Sequence, residues 1–399
     1  MPPPLTGIRV LDLSTVVAGP TTTMILADLG ADVIKVERID GGDDCRHMGP
    51  HLGDWGAFFV VLNRGKRSIS ADVAKPEGRE LILRLAGSCD VFIENFRGGK
   101  LKELGLDEPA IRAVNPSIIY ASLSAYGSRG PDYFKPGYDA LIQGRSGIIS
   151  VTGSGPDAPT RAGVSVIDMG SGMWMAMGIL AAIIERQKSG RGQRVDSSLF
   201  QTGVMLMSYH LVYRQFAGRN PVPQGSSHTA FAPYSAFTTA DGQMMVGVSN
   251  ERMFRRLCTA LERLEWLEDA RFLTNVLRVK HRDQLEALLQ EVFREMPTAH
   301  WVALFDEHDV PVSPIQKADE VLCDPQLLAL QQLEDMALPG QNGNRVQVPK
   351  LPFELSETPT EITAPPPIAG EHGREILTEI GYSEAEIEQL FASGICRMP

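Results

Sequence analysis

A single acid, Asp168, stands at the mouth of the most apolar run of the chain, RAGVSVIDMGSGMWMAMGILAAII over residues 161–184. Residues 173–184 carry no charge, so the pattern predicts a long, nearly fully buried helix that opens at the acid. Two roles suit an acid there. It can cap the helix, because Asp accepts the orphan amides of a first turn and complements the helix dipole. It can also serve as a nucleophilic carboxylate that takes up an activated acyl group. The small residues Gly170, Ser171 and Gly172 have two readings as well, as backbone donors to a tetrahedral oxyanion or as close helix packing. Position alone leaves both pairs open.

The elements that must hold Asp168 follow from periodicity. Over residues 7–127, GIRVLDLS, DVIKVER, RSISADV, DVFIENF and SIIYASLSAYG read as strands, and TTTMILADLG and PEGRELILRLAGS as helices between them. That βαβ series predicts a mainly parallel sheet covered by helices. The first turn, TVVAGP, lacks GxGxxG and so argues against a dinucleotide. Three segments are expected to meet on one sheet edge, where such sheets bind ligands: residues 16–20, residues 95–99, and Tyr138 with Asp139. Beyond the Asp168 helix come a strand, a second apolar helix and a Pro/Gly/Ser-rich stretch at 220–227 that marks a domain crossing. A hairpin with its turn at Asp241-Gly242 and amphipathic helices over 251–309 follow. Residues 338–367 are expected to be extended and 373–394 helical. The expected architecture is α/β: a Rossmann-like large domain over residues 1–218, a smaller α+β domain over 219–325, and a tail over 326–399 returning to the large domain.

Composition narrows the chemistry. With 49 acidic and 38 basic residues the net charge is −11, and no Lys/Arg run exists to form a nucleic-acid surface. The five cysteines are scattered without a CxxC, and no HExxH occurs, so neither disulfides nor a metal site is expected. A reducing cytoplasmic location fits. No targeting segment or membrane-spanning stretch is expected either.

Ten stretches in order carry a resemblance over nearly the whole chain: LDLSTVVAGPTTTMILADLGADVIKVER, NRGKRSISAD, DVFIENFRGG, YASLSAYGSRGP, GYDALIQGRSG, SVIDMGSGM, GRGQRVDSSL, APYSAFTTADG, PPPIAGEHGREIL and LFASGI. Together they resemble the class III coenzyme A transferases, the family of formyl-CoA transferase and carnitine CoA-transferase. The stretch SSHTAFAPYSAFTTADG, with TNVLRVKHRDQL and VPVSPI, is more similar to the succinate and glutarate-type members.

The resemblance implies that Asp168 is the nucleophile, passing through an aspartyl anhydride and an aspartyl-CoA thioester, with the CoA thioester as substrate and no other cofactor. It implies that Arg38 contacts the adenosine end of CoA, and that Val16, Val17, Ala18, Ala71, Val73, Asn95 and Phe96 line the CoA channel. Arg97, Lys100 and Tyr138 are added as CoA contacts. Glu103 stands where the family often has a base, which shifts a phosphate contact toward Lys100. Candidates for recognising the second carboxylate of a dicarboxylate acceptor are His228, Arg145 and Arg46; each also reads as an ordinary structural or paired surface group. The related α-methylacyl-CoA racemases carry His where this chain has Tyr138, which favours transfer over racemisation; a non-catalytic CoA-binding protein would lack the nucleophile. The partners implied are an acyl-CoA, with succinyl-CoA as the expected donor, a small carboxylic acid and a second copy of the chain in an intertwined homodimer.

Overall fold

Six of the β-type runs pair in parallel in the computed structural model, which describes residues 1–340 and 343–399. They are β1 (Arg9–Asp12), β2 (Asp32–Glu37), β3 (Lys66–Ala71), β4 (Val91–Glu94), β5 (Ile119–Ser124) and β6 (Arg194–Ser198); β7 (Cys396–Arg397) adds antiparallel to β3. The order across the sheet is β7-β3-β2-β1-β4-β5-β6. From β3 to β6 this is the doubly wound 3-2-1-4-5-6 arrangement, which reverses direction between β1 and β4 and leaves a crevice there outside the carboxyl ends of the strands. The central strands β1, β2, β4 and β5 are mostly buried and rich in Val, Ile and Leu, as strands covered on both faces are, whereas β3 (KRSISA) and β6 (RVDSS) are largely polar. Leu11, Ile34, Ile69 and Phe92 share one core with Ile376, Leu377 and Ile387, so the C-terminal residues do return to the sheet.

Four helices position the site: α1 (Ala18–Asp28), α2 (Asp139–Ser146), α3 (Val166–Ser189) and α4 (Leu199–Leu206). Helix α3 has the length and hydropathy of a membrane span, yet half of its most apolar window is buried inside the protein. The expectation of near-complete burial is corrected. Its inner face packs on α1, whereas Met173, Trp174, Met177 and Ile184 are exposed, Ile184 to 55%. An uncharged sequence reports that no face is charged; it does not report that every face is covered.

By internal contacts the chain forms two units: Met1–Ile148 with Ala162–Val212 and Leu328–Pro399, and Ile149–Arg161 with Tyr213–Leu327. Residues 149–161 thus group with the second unit, not with the sheet. In that unit Tyr234–Thr238 and Gln243–Gly247 form the expected hairpin, Val312–Pro314 joins its edge, and Phe254, Phe293, Trp301 and Phe305 fill the core. Ahead of and within the stretch expected to be extended, Leu333–Ala337 pairs antiparallel with Arg345–Pro349.

Candidate active site

The loops after β1 and β4 are tied to each other across the crevice between the two strands. Thr15 donates its amide to Asn95 Oδ1 at 2.9 Å, and Asn95 Nδ2 donates to Thr15 O at 2.8 Å. Beside them Val16 holds φ at +69°, a costly conformation for a β-branched residue. Its amide donates to Asp43 Oδ1 at 3.0 Å. Asp43 is fixed in turn by Lys35, whose Nζ lies 2.7 Å from Asp43 Oδ2 and donates to Ser14 O at 2.9 Å. Burial pushes the Asp43 carboxyl up, but Lys35 together with the Cys45 and Val16 amides outweighs it and holds the group at about 2, so the support stays ionised. Gly19 completes the turn, because a Cβ there would fall 2.2 Å from Ser14 Cβ. The turn needs this glycine for close approach, although no dinucleotide fingerprint is present.

Asp168 sits in the first turn of α3, across the same crevice. The N-cap residue is Ser165, which makes no side-chain capping bond. Asp139, at the start of α2, takes the amides instead: its Oδ2 accepts Ile167 N–H at 2.8 Å and Asp168 N–H at 3.2 Å. Among the described residues no hydrogen bond reaches the Asp168 carboxylate. Its simple capping role is therefore excluded. Burial raises its proton affinity, and the neighbouring Asp139 charge adds to this, bringing the group to about 7.

A cavity of about 500 Å³ opens in front of Asp168. Its walls include Val16, Val17 and Ala18 from the first loop, Asn95, Phe96, Arg97 and Lys100 from the second, and Tyr138. A smaller cavity of about 60 Å³ shares Thr15 and Phe96 with it and is lined by Arg38, Ala71 and Val73. The eleven residues proposed for CoA contact thus line two adjoining cavities that meet at Phe96. Arg38 is 58% exposed, pairs with Asp44 and donates to Gly42 O at 3.1 Å.

Other candidates lie elsewhere. Arg46 is not in the wall of the Asp168 cavity: it binds both oxygens of buried Glu37 at 2.7 Å, donates to Pro367 O at 2.9 Å and stacks on Phe59. Its guanidinium is committed to the fold, which corrects its assignment as an acceptor-binding cation. Arg145 likewise lies outside that wall and pairs with Asp132 at 2.6 Å. His228 belongs to the second unit, where its Nδ1 accepts Ala230 N–H at 3.1 Å and its ring packs on Phe231 and Tyr234. Glu103 pairs with Lys100 at 3.0 Å, so the acid in the basic position offsets the positive charge of the very lysine expected to take over the contact.

The oxyanion reading of the glycines is also corrected. Gly170 and Gly172 lie inside α3, where their amides belong to the helical ladder. A Cβ on Gly172 would come within 2.6 Å of Thr21 Cβ and 2.8 Å of Ala18 O, so this glycine allows α1 and α3 to touch. Two residues escaped the sequence reading. Lys135 lines the cavity and pairs with Asp132 at 2.6 Å; its signal was a base three residues before Tyr138. The sequence offers Asp139 only beside Tyr138 at the expected sheet edge; its service to a different helix has no local signature.

A family model described as CoA-transferase family III matches residues 5–373. The chain is 38% identical over 400 residues to an acyl-CoA transferase of Fusarium pseudograminearum, spanning 98% of this chain and 88% of that protein. It is 36% identical over 394 residues to the succinyl-CoA:glutarate CoA-transferase of Mus musculus, spanning 98% and 90%. Among solved structures, a CAIB/BAIF family protein from Brucella suis superimposes with a TM-score of 0.87 at 36% identity, covering 95% of this chain and all of that one.

Proposed function

This chain belongs to CoA-transferase family III, and on that premise we propose that it moves CoA reversibly from succinyl-CoA to a small dicarboxylic acid such as glutarate, itaconate or malate, with Asp168 as nucleophile. The observation that carries this reading is the Asp168 carboxylate itself: unbonded, at a helix mouth, in the wall of the switch-point cavity.

The chemistry balances on that one side chain. An Asp168 oxygen attacks the thioester carbonyl, the C–S bond breaks, and a mixed anhydride and CoA thiolate result. The thiolate attacks the aspartyl carbonyl, expels the donor acid as its carboxylate and leaves an aspartyl-CoA thioester. The acceptor carboxylate attacks that thioester to give a new anhydride and thiolate. Attack of the thiolate on the acceptor's carbonyl gives the product and restores Asp168. The exchange draws on no cofactor beyond the CoA thioester. A carboxylate with raised proton affinity is the more basic nucleophile once ionised, and half of it is ionised near neutral pH.

Arg38, Ala71 and Val73 are assigned to the adenosine end of CoA, and Val16, Val17, Ala18, Asn95 and Phe96 to the chain leading to Asp168. Arg97, Lys100 and Lys135 supply positive charge within the larger cavity, suited to the anionic groups of CoA and of the acceptor. Two of its relatives, a succinyl-CoA:glutarate CoA-transferase and an acyl-CoA transferase by name, support the substrate class. A homodimer is proposed from the exposed apolar side chains of α3 and α4, Met173, Trp174, Met177, Ile184 and Met205.

Trapping tests the reaction. Incubation with succinyl-CoA followed by borohydride or hydroxylamine is expected to modify Asp168, located by peptide mass spectrometry, and Asp168→Ala is expected to keep its fold and lose exchange. Full exchange activity in that variant overturns the mechanism. Solvent deuterium entering the α-carbon of an acyl-CoA without an acceptor acid would indicate racemisation instead.

A further inference from the structure

We propose that Asp139 is a positioning residue for Asp168: it takes the amides at the mouth of α3 so that the Asp168 carboxylate stays out of capping bonds and faces the cavity. This deepens the reading of Asp168 as nucleophile and rests on it. At a helix mouth the N2 and N3 amides ordinarily go to the side chain of the N-cap, and an acid at N3 reaches back to the N-cap amide; Ser165 makes no such bond and Asp168 does not reach back. Asp139 occupies that place from another helix, accepting Ile167 N–H at 2.8 Å and Asp168 N–H at 3.2 Å through one oxygen.

The clamp is itself fixed. Asp139 Oδ1 accepts Gln143 Nε2 at 2.5 Å, and Gln143 Oε1 accepts Ala162 N–H at 2.8 Å. Gln143 is fully buried and Asp139 only 7% exposed, so α2 grips the segment leading into α3 with two side chains one turn apart. The other ionisable groups around this cavity are Asp44, Arg97, Lys100, Lys135, Tyr133 and Tyr138; α4 and the first turn of α1 bring none. Asp139 is the neighbouring charge that, after burial, raises the proton affinity of Asp168. One residue thus frees the nucleophile geometrically and makes it more basic.

Asp139→Asn separates the two effects at the mouth of α3, because the amide oxygen still accepts the backbone bonds while the charge is gone; its Nδ2 then meets Gln143 Nε2 donor to donor, so only the Gln143 bond is given up. Labelling of Asp168 by a water-soluble carbodiimide with glycinamide, followed by peptide mass spectrometry from pH 5 to 8.5, reads its protonation in the resting enzyme without substrate. The labelling midpoint is expected to fall by about one pH unit, and kcat/KM at pH 6, relative to its own plateau, to rise about fivefold. Asp139→Ala also removes the acceptor and is expected to lower kcat about tenfold or more with CoA affinity changed less than about twofold. Should Asp139→Asn fail to fold, Gln143→Leu releases the clamp and is expected to lower kcat about fivefold at unchanged CoA affinity. An unmoved labelling midpoint in folded Asp139→Asn, or an unchanged kcat in Asp139→Ala, overturns the proposal. A shifted midpoint in a protein whose parent exchanges no CoA upholds the clamp and overturns the transferase chemistry instead.

Discussion

Thr15 and Asn95 exchange two hydrogen bonds across the point where the sheet reverses direction, at 2.9 Å and 2.8 Å. They join the loop after β1 to the loop after β4, the two walls between which the CoA chain is proposed to lie. Replacing Asn95 with Ala removes both bonds and leaves Thr15 N–H and C=O without these partners, a loss of about 1–3 kcal/mol concentrated at the crevice. The expected result is a KM for acyl-CoA raised about tenfold with a modest fall in thermal stability, measured by steady-state kinetics and calorimetry. An unchanged KM would separate this pair from substrate binding.

The two glycines of α3 are expected to behave differently. Gly172→Ala places a methyl against Thr21 and the backbone oxygen of Ala18, so α1 and α3 must separate, at about 1–3 kcal/mol. Gly170→Ala meets only Thr202 Cγ2 at 3.1 Å and is expected to be milder. Because neither amide is free for an oxyanion, kcat for folded Gly170→Ala should stay within about threefold of the parent. A loss of a hundredfold or more would restore the oxyanion role.

Asp168 should tax stability at high pH. Its folded-state value is about 7 against an ordinary 3.8, so between those values the native protein binds a proton that the unfolded chain releases, and stability falls as pH rises through the window. The displacement sets a ceiling of ~4 kcal/mol, which water in the open cavity screens to about 1–2 kcal/mol. Asp168→Asn is therefore expected to be more stable than the parent at pH 8, and to lose that advantage by pH 4. Urea unfolding at the two pH values checks both the sign and the window.

Three arginines separate by what they touch. Arg38→Ala is expected to raise KM for every acyl-CoA about tenfold with little change in kcat, since a remote contact binds ground and transition states alike. Arg46→Ala strands buried Glu37 and should cost about 3–5 kcal/mol of stability without altering acceptor preference. Arg97→Ala, in the cavity wall, is expected to lower kcat/KM for glutarate at least about tenfold relative to butyrate. Calorimetry with CoA and a parallel acceptor series distinguish the three; equal use of butyrate and glutarate by the parent would remove the dicarboxylate assignment.

Much of this site was legible in the chain because it is built from loops at strand ends. The strands declared themselves by apolar runs, each loop follows its strand in sequence, and a parallel sheet brings those loops to one edge; the residues chosen at 16–18, 95–97, 138 and 168 therefore line one cavity. The acid at the mouth of an apolar run was visible for the same local reason. What the sequence left open was which partner each polar group takes. Only the tertiary structure gave Arg46 to Glu37, gave Gly172 to the contact of two helices, left one side of α3 uncovered, and brought Asp139 from 29 residues away to take the amide that left Asp168 free. Periodicity records what a residue shares with its neighbours along the chain, whereas capping, pairing and close packing are settled by distance in space.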